Sequence, residues 1–290
     1  MSSVMFKSPA AREKISRWHD RFRALIEAPL ESRTVSTRFG DTHVLVGGRE
    51  DAPPLVMLHG ALASSAHLLL ELKHLLQRFR VYAVDVIGQS VKSADVRLRV
   101  DNNDYGLWVA EVLDGLKLPR VRLIGVSWGG FVAQRFAAVA PERVEKLALL
   151  VPAGMVSGSA WDGFWKMGWP MTRYLMSPNP ERLKKLGQSL LTTLDDEWLP
   201  YIGDSFLSYR LDMKVPALSK PSDFEELTAP VLVIAAEYDV SFPGQSVLDR
   251  AKQLFKNPET ELLKGSQHSP PTTPEFRTWM GQRLTAFFGA

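Results

Sequence analysis

The sequence predicts an α/β protein, a mostly parallel sheet covered by helices on both faces and carrying a helical insertion. Three observations predict it. Short, continuous apolar runs alternate with helical patterns along most of the chain, as strands buried on both sides do. That rhythm breaks once, from Gly154 to about Ser222, where no strand pattern appears. The 290 residues, 45% hydrophobic and 23% charged, fit one large domain with an insertion or two smaller domains. The same composition excludes collagen-like, low-complexity and disordered chains. A chain of this length buries about 70–75% of its unfolded surface, which gives it a sizeable core.

Residues Ala10 to Ala28 read as an amphipathic helix, with Ile15, Trp18, Phe22, Leu25 and Ile26 at helical spacing between Pro9 and Pro29. The helix is expected to pack on the body; membrane or partner contact by residues 10–28 is the second reading. A hairpin follows, with β-prone runs Thr34–Phe39 and Thr42–Val46 flanking a two-residue Gly40-Asp41 turn. The remaining strand candidates are Leu55–Leu58, Val81–Val84, Val121–Gly125, Lys146–Val151, Pro230–Ala236 and Thr260–Leu263. Helical patterns lie between most of them, including Asn103–Leu116, Phe131–Ala140 and Ser246–Phe255, and a last one spans Thr273–Phe288. Residues 154–222 then form a cap of short helices over a core made of residues 1–153 and 223–290. The cap holds Trp161, Trp165, Trp169 and Trp198 and five of the nine Met residues. These bulky groups make a small core of their own or line a pocket; Trp161, Trp165 and Trp169 are the pocket candidates.

The formal net charge is +3, and residues 1–23 alone carry six basic side chains against Glu13 and Asp20. The rest of the chain is nearly neutral, so the basic footprint of a nucleic-acid groove is missing. Cys is absent, which excludes a disulfide framework, a thiolate metal site and a Cys nucleophile. No apolar run approaches the 18 residues of a membrane span, and the start has no apolar signal region before its charges. A cytoplasmic location is the expectation.

The strongest local motif is Gly125-Val126-Ser127-Trp128-Gly129, followed by Gly130, between a strand candidate and a helix candidate. It matches G-x-S-x-G, in which a sharp strand-to-helix turn exposes the serine oxygen above the sheet. A serine hydroxyl needs a base, and this turn type carries its partners in the order Ser, acid, His. Of the six His residues only His268 follows Ser127, in a loop after the last strand candidate. The acid that orients the imidazole is assigned to Asp239, just beyond the strand Val231–Ala236, with Glu237 as its nearest rival. The oxyanion needs preorganised donors: the backbone N–H of Trp128, directly after the nucleophile, and that of Ala61 in the loop His59-Gly60-Ala61-Leu62. His59 is then a structural brace for that loop. The turn Asp85-Val-Ile-Gly88-Gln-Ser90 supports the site without chemistry. The triad requires no metal and no organic cofactor; with no H-E-x-x-H motif and no Cys, zinc would need scattered ligands, and the missing P-loop pattern disfavours nucleotide hydrolysis.

Taken together, these residues resemble the α/β-hydrolase superfamily over nearly the whole chain. The resemblance implies an eight-stranded, mostly parallel sheet with a cap inserted after strand six, which suits residues 154–222. Asp85-Val-Ile-Gly, Pro141-Glu-Arg-Val and the layout look like bacterial carboxylesterases that cleave aryl-propionate esters. The run Gly125-Val-Ser-Trp-Gly-Gly also resembles intracellular polyhydroxyalkanoate depolymerases, at the elbow alone. Ser127 stands where haloalkane dehalogenases use Asp, which argues against carbon–halogen displacement. Ala61-Leu62 after Gly60 replaces the Gly-Gly-Gly-x loop of some esterases, which argues against tertiary-alcohol esters. The expected function is hydrolysis of a small carboxylic ester with an apolar or aromatic part, through an acyl-enzyme. Other triad chemistry (carbon–carbon bond hydrolysis, lactone hydrolysis, perhydrolysis, depolymerisation) and a non-enzymatic binding module are the alternatives.

Overall fold

The computed structural model describes residues 3–212 and 214–289. Met213, one of the cap methionines, lies outside the described residues. Helix α1 (Pro9–Leu25) opens the fold, capped by Ser8, whose hydroxyl accepts the Ala11 N–H. It is followed by β1 (Leu30–Thr37), β2 (Gly40–Gly47), β3 (Pro54–Leu58), α2 (Ser65–Glu71) and β4 (Arg80–Val84). Next come α3 (Asp104–Gly115), β5 (Val121–Val126), α4 (Trp128–Val139) and β6 (Val144–Leu150). The stretch between β6 and the next strand carries α5 (Ala160–Gly163), a π-turn over Phe164–Gly168, α6 (Trp169–Met176), α7 (Pro180–Gln188) and α8 (Trp198–Ser208). The chain closes with β7 (Val231–Ala236), α9 (Gly244–Leu254), β8 (Glu259–Leu263) and α10 (Pro274–Phe288).

The eight strands form one sheet in the order β1-β2-β4-β3-β5-β6-β7-β8. β3 to β8 run parallel, and β1 and β2 are antiparallel additions at one edge. Alternate strand residues serve two separate cores, because successive side chains point to opposite faces. Val56, Leu58, Leu123, Leu147, Leu149 and Val233 join Trp108, Phe131 and Phe136 on the side of α3, α4 and α9. Leu55, Met57, Ile124, Ala148, Leu232 and Ile234 join Phe22, Leu69 and Leu284 on the side of α1, α2 and α10. Both faces need apolar residues, which is why the central strands read as continuous apolar runs rather than alternating ones.

Helix α1 packs on α2 and α8. It buries Ile15, His19 and Phe22, and Ile26 just past its end; Leu25 remains 40% exposed. Its apolar stripe is therefore turned into the body. No helix among the described residues is long and apolar enough to cross a membrane.

The hairpin departs from the expected turn. Thr37 pairs with Gly40, so the two turn residues are Arg38 and Phe39, and Gly40-Asp41 open β2. Thr37 makes the difference: its Oγ1 accepts the Phe39 N–H and donates to the Gly40 carbonyl at 2.8 Å, closing the turn without a glycine in it. Gly40 still has φ +123°, and a Cβ there would lie 2.6 Å from the Ala94 Cβ. Its glycine character serves close packing rather than the turn.

Candidate active site

In an open parallel sheet, sites form at the carboxyl ends of the strands. Five loops meet there: Ser127 follows β5, Asp239 follows β7, His268 follows β8, His59-Gly60-Ala61 follows β3, and Asp85 follows β4.

Ser127 has φ +51° and ψ −114°, a strained conformation for a residue with a side chain. Its surroundings over-determine it. The Ser127 N–H donates to the Leu150 carbonyl at 2.9 Å, and its own carbonyl accepts N–H groups of Gly130 at 2.8 Å and Ala153 at 3.0 Å. The flanking glycines let the turn close: a Cβ on Gly125 would lie 2.5 Å from the Gly129 carbonyl oxygen, and one on Gly129 2.1 Å from that of Leu58.

The structure brings the three expected side chains together. Ser127 Oγ lies 2.9 Å from His268 Nε2, and His268 Nδ1 lies 2.6 Å from Asp239 Oδ2. The other Asp239 oxygen accepts the N–H groups of Ser241 at 2.8 Å and Phe242 at 3.0 Å, which fixes the carboxylate toward the ring. Nδ1–H therefore donates to the carboxylate, leaving Nε2 to accept from the serine hydroxyl. Burial opposes the imidazolium, and the Asp239 charge and hydrogen bond outweigh it, so the His268 pKa lies above its ordinary 6.5. Glu237, the rival acid, is turned away: its carboxylate accepts the Gly265 N–H at 2.7 Å.

The inserted segment holds the His268 loop from both sides. Gln267 N–H donates to Thr192 Oγ1 at 2.8 Å, Ser269 N–H donates to the Leu190 carbonyl at 2.8 Å, and Thr192 N–H returns to the Ser269 carbonyl at 3.0 Å. Residues 190–192 thus add a short strand-like clamp next to the imidazole.

His59 is 1% exposed and braces the loop after β3. Its Nδ1–H donates to the Gly60 carbonyl at 2.7 Å and its Nε2 accepts the Val86 N–H at 2.9 Å. Burial keeps the ring neutral, with its pKa below the ordinary value, as that donor–acceptor pattern requires. Ala61 and Trp128 both face the cavity beside Ser127. Neither N–H has a hydrogen-bond partner among the described residues.

Asp85 is a second buried carboxylate behind the site. It accepts from His43 Nδ1 at 2.6 Å, the Ser65 N–H at 2.9 Å, the Ser65 hydroxyl at 2.6 Å and the Ser90 hydroxyl at 2.5 Å. Burial alone would raise its pKa, and the histidines around it more than reverse that, holding it well below the usual carboxylate range. His19, His43 and Asp85 present three ligand-type atoms close together. With four donors already on it, this carboxylate is saturated and ties α2 and the β4 loop together.

A cavity of about 540 Å³ opens on Ser127 and His268 and extends between α2, α8 and α10. The expectation for its lining needs correction. Trp161, Trp165 and Trp169 are 71%, 49% and 45% exposed and do not line it. Their i, i+4, i+8 spacing puts the indoles on one face, and that face is the outer one. Trp161 and Trp165 pack on each other there, ring centroids 5.7 Å apart. From the same segment Met167 turns inward. Trp198, the fourth tryptophan of that segment, does line the cavity, and with it from α8 come Tyr201, Ile202 and Ser205, which sequence reasoning missed. Their i, i+3, i+4, i+7 spacing was the available signal for an inward helix face.

Comparison with known proteins agrees with this architecture. A family described as alpha/beta hydrolase fold matches residues 53–184. The uncharacterized carboxylesterase nap of Bacillus subtilis (strain 168) is 29% identical over 271 residues, covering 88% of this chain and 86% of that protein. Carboxylesterase YbfK of the same strain is 27% identical over 283 residues, covering 89% and 88%. The crystal structure of naproxen esterase (carboxylesterase NP) from Bacillus subtilis superposes with a TM-score of 0.82 at 25% identity, over 97% of this chain and 99% of the other. The chain has the α/β-hydrolase fold and resembles bacterial carboxylesterases over most of its length.

Proposed function

We propose that the protein hydrolyses carboxylic esters with Ser127 as nucleophile, His268 as general base and acid, and Asp239 as the group that orients the imidazole. The unbroken run of hydrogen bonds from Asp239 through His268 to Ser127, ending in an apolar cavity, carries this reading. The similarity to carboxylesterases over most of the chain supports the choice of bond.

In the reaction, Ser127 Oγ adds to the ester carbonyl and its proton passes to His268 Nε2. The oxyanion accepts hydrogen bonds from the Ala61 and Trp128 N–H groups, which no described residue occupies. As the carbon–oxygen bond to the alcohol breaks, His268 gives its proton to the leaving oxygen. Water then adds to the acyl-enzyme, losing its proton to His268, and Ser127 leaves with that proton as the acid is released. The apolar walls favour an ester with a sizeable apolar or aromatic part.

A screen across acyl lengths, aryl esters, lactones and vinylogous diketones, with Ser127→Ala as the blank, tests the reading. Aryl and longer-chain esters are expected to turn over faster than acetate esters, with every activity lost in the blank. Activity that survives in Ser127→Ala, or that is confined to lactones or diketones, contradicts it.

A further inference from the structure

Away from the triad, the cavity wall carries a polar side chain that no described residue satisfies. His67 on α2 is 3% exposed and lines the cavity. Its backbone N–H donates to Ser64 Oγ at 3.3 Å. Neither ring nitrogen has a partner among the described residues, and Nε2 is fully shielded. The ring sits among aromatic groups, with its centroid 3.5 Å from that of Trp198 and 4.9 Å from that of Phe22. An unpaired imidazole buried this deeply is costly, and buried polar groups almost always find a partner.

The other polar groups at this end of the cavity are mostly taken. Arg277 forms a two-point pair with Glu71, at 2.7 and 2.9 Å, and Trp198 Nε1–H donates to the same carboxylate at 3.1 Å. The exception besides His67 is Ser205, whose hydroxyl is also buried without a partner among the described residues. Burial, reinforced by His59 and by the cationic Arg277, holds the His67 pKa well below 6.5, so the ring is neutral.

We propose that the part of the cavity between α2, α8 and α10 is a subsite for a hydroxyl group on the substrate, with His67 as its hydrogen-bond partner. With Nε2 shielded, Nδ1 is the ring nitrogen open to the cavity; in a neutral imidazole it is an N–H donor or an acceptor according to the tautomer, and a hydroxyl matches both. A carbonyl or ether oxygen matches only the donor. A carboxylate is poorly matched here, because the cation at this end, Arg277, already pairs with Glu71. The subsite rests on the ester-hydrolase reading in one respect: it narrows the substrate to an ester whose apolar arm ends in a hydroxyl.

Equilibrium binding tests this without catalysis. Calorimetry measures the Kd of 4-propylphenol and of propylbenzene for the Ser127→Ala protein, with His67 intact and with His67→Phe or His67→Gln added. The Kd ratio is expected to favour the phenol about fivefold more with His67 intact than in the His67→Phe variant, on the scale of one buried hydrogen bond. His67→Gln, which keeps a donor and an acceptor, is expected to retain part of that preference. A ratio unchanged by His67→Phe overturns the subsite. Should that variant fail to fold, a Kd ratio no better than one in the His67 protein overturns it, and a preference for the phenol there and in His67→Gln supports it. Because no ester is cleaved in this assay, a wild-type protein inert toward esters refutes the proposed function and leaves the subsite result standing.

Discussion

Replacing Gly129 by Ala puts a new methyl carbon 2.1 Å from the Leu58 carbonyl oxygen and 2.7 Å from that of His59. The first contact is about 0.9 Å short of the 3.0 Å below which real Cβ contacts are essentially never found. Neither side yields cheaply. Leu58 is paired with β4 on one side and β5 on the other, and Gly129 is fixed by the bonds that pin the Ser127 turn. The elbow and the Ala61 loop must therefore separate by most of an ångström. Overpacking of this kind costs about 1–3 kcal/mol, and a 1 Å misplacement of reacting groups costs about 10²-fold in rate. Gly129→Ala is thus expected to lower the urea midpoint and to cut kcat/KM on an aryl ester about 100-fold. Gly163→Ala is the control, since a Cβ there meets nothing within 4 Å, and Ala in the helix is expected to leave stability equal or raised by up to about 1 kcal/mol. If the two variants behaved alike in both assays, the close contact of elbow and oxyanion loop would not be what sets the site.

Three further outcomes follow from the same geometry. Asp239→Asn keeps the shape and removes the carboxylate behind His268, so kcat is expected to fall about 10⁴-fold, while Glu237→Gln stays near wild type; equal effects in steady-state assays count against the assignment. The base works only as neutral imidazole, and Asp239 overrides burial to raise its pKa, so the acid limb of kcat/KM is expected to have its midpoint above 6.5; a limb at or below 6.5 contradicts the pairing. Asp85→Ala strands the buried donors of His43, Ser65 and Ser90 and is expected to cost about 3–5 kcal/mol in urea unfolding. Because the Asp85 carboxyl is held below its ordinary 3.8, its stabilisation is complete above that pH and is lost as pH falls toward the folded-state value; in Asp85→Asn the decline of stability with acid is expected to be shallower.

Much of the fold was legible because central strands and helices obey strong local rules. Val231–Ala236 is apolar at every position since it is buried on both faces. The elbow was legible because Gly125 and Gly129 are demanded by backbone contacts that only glycine permits. The His268 and Asp239 positions followed from chain order, although the choice between Asp239 and Glu237 turns on the Gly265 N–H, which no local pattern reveals. The hairpin turn falls at Arg38-Phe39 rather than at Gly40-Asp41 because the Thr37 side chain does what a glycine turn does elsewhere. Helical spacing tells which residues share a face and not which way that face points, so it does not reveal that Trp161, Trp165 and Trp169 face outward. His67 escaped notice for a related reason: a lone histidine acquires meaning only once its neighbours prove to be rings without a partner for it.

The rate at which a fluorophosphonate probe modifies Ser127 reads most directly whether His268 and Asp239 make that hydroxyl reactive. The wild-type protein is expected to be labelled at Ser127 alone, with the rate falling at least about 100-fold in His268→Ala and by a smaller factor in Asp239→Asn. Labelling of Ser127 at the wild-type rate in His268→Ala, or modification of a different residue, contradicts the account.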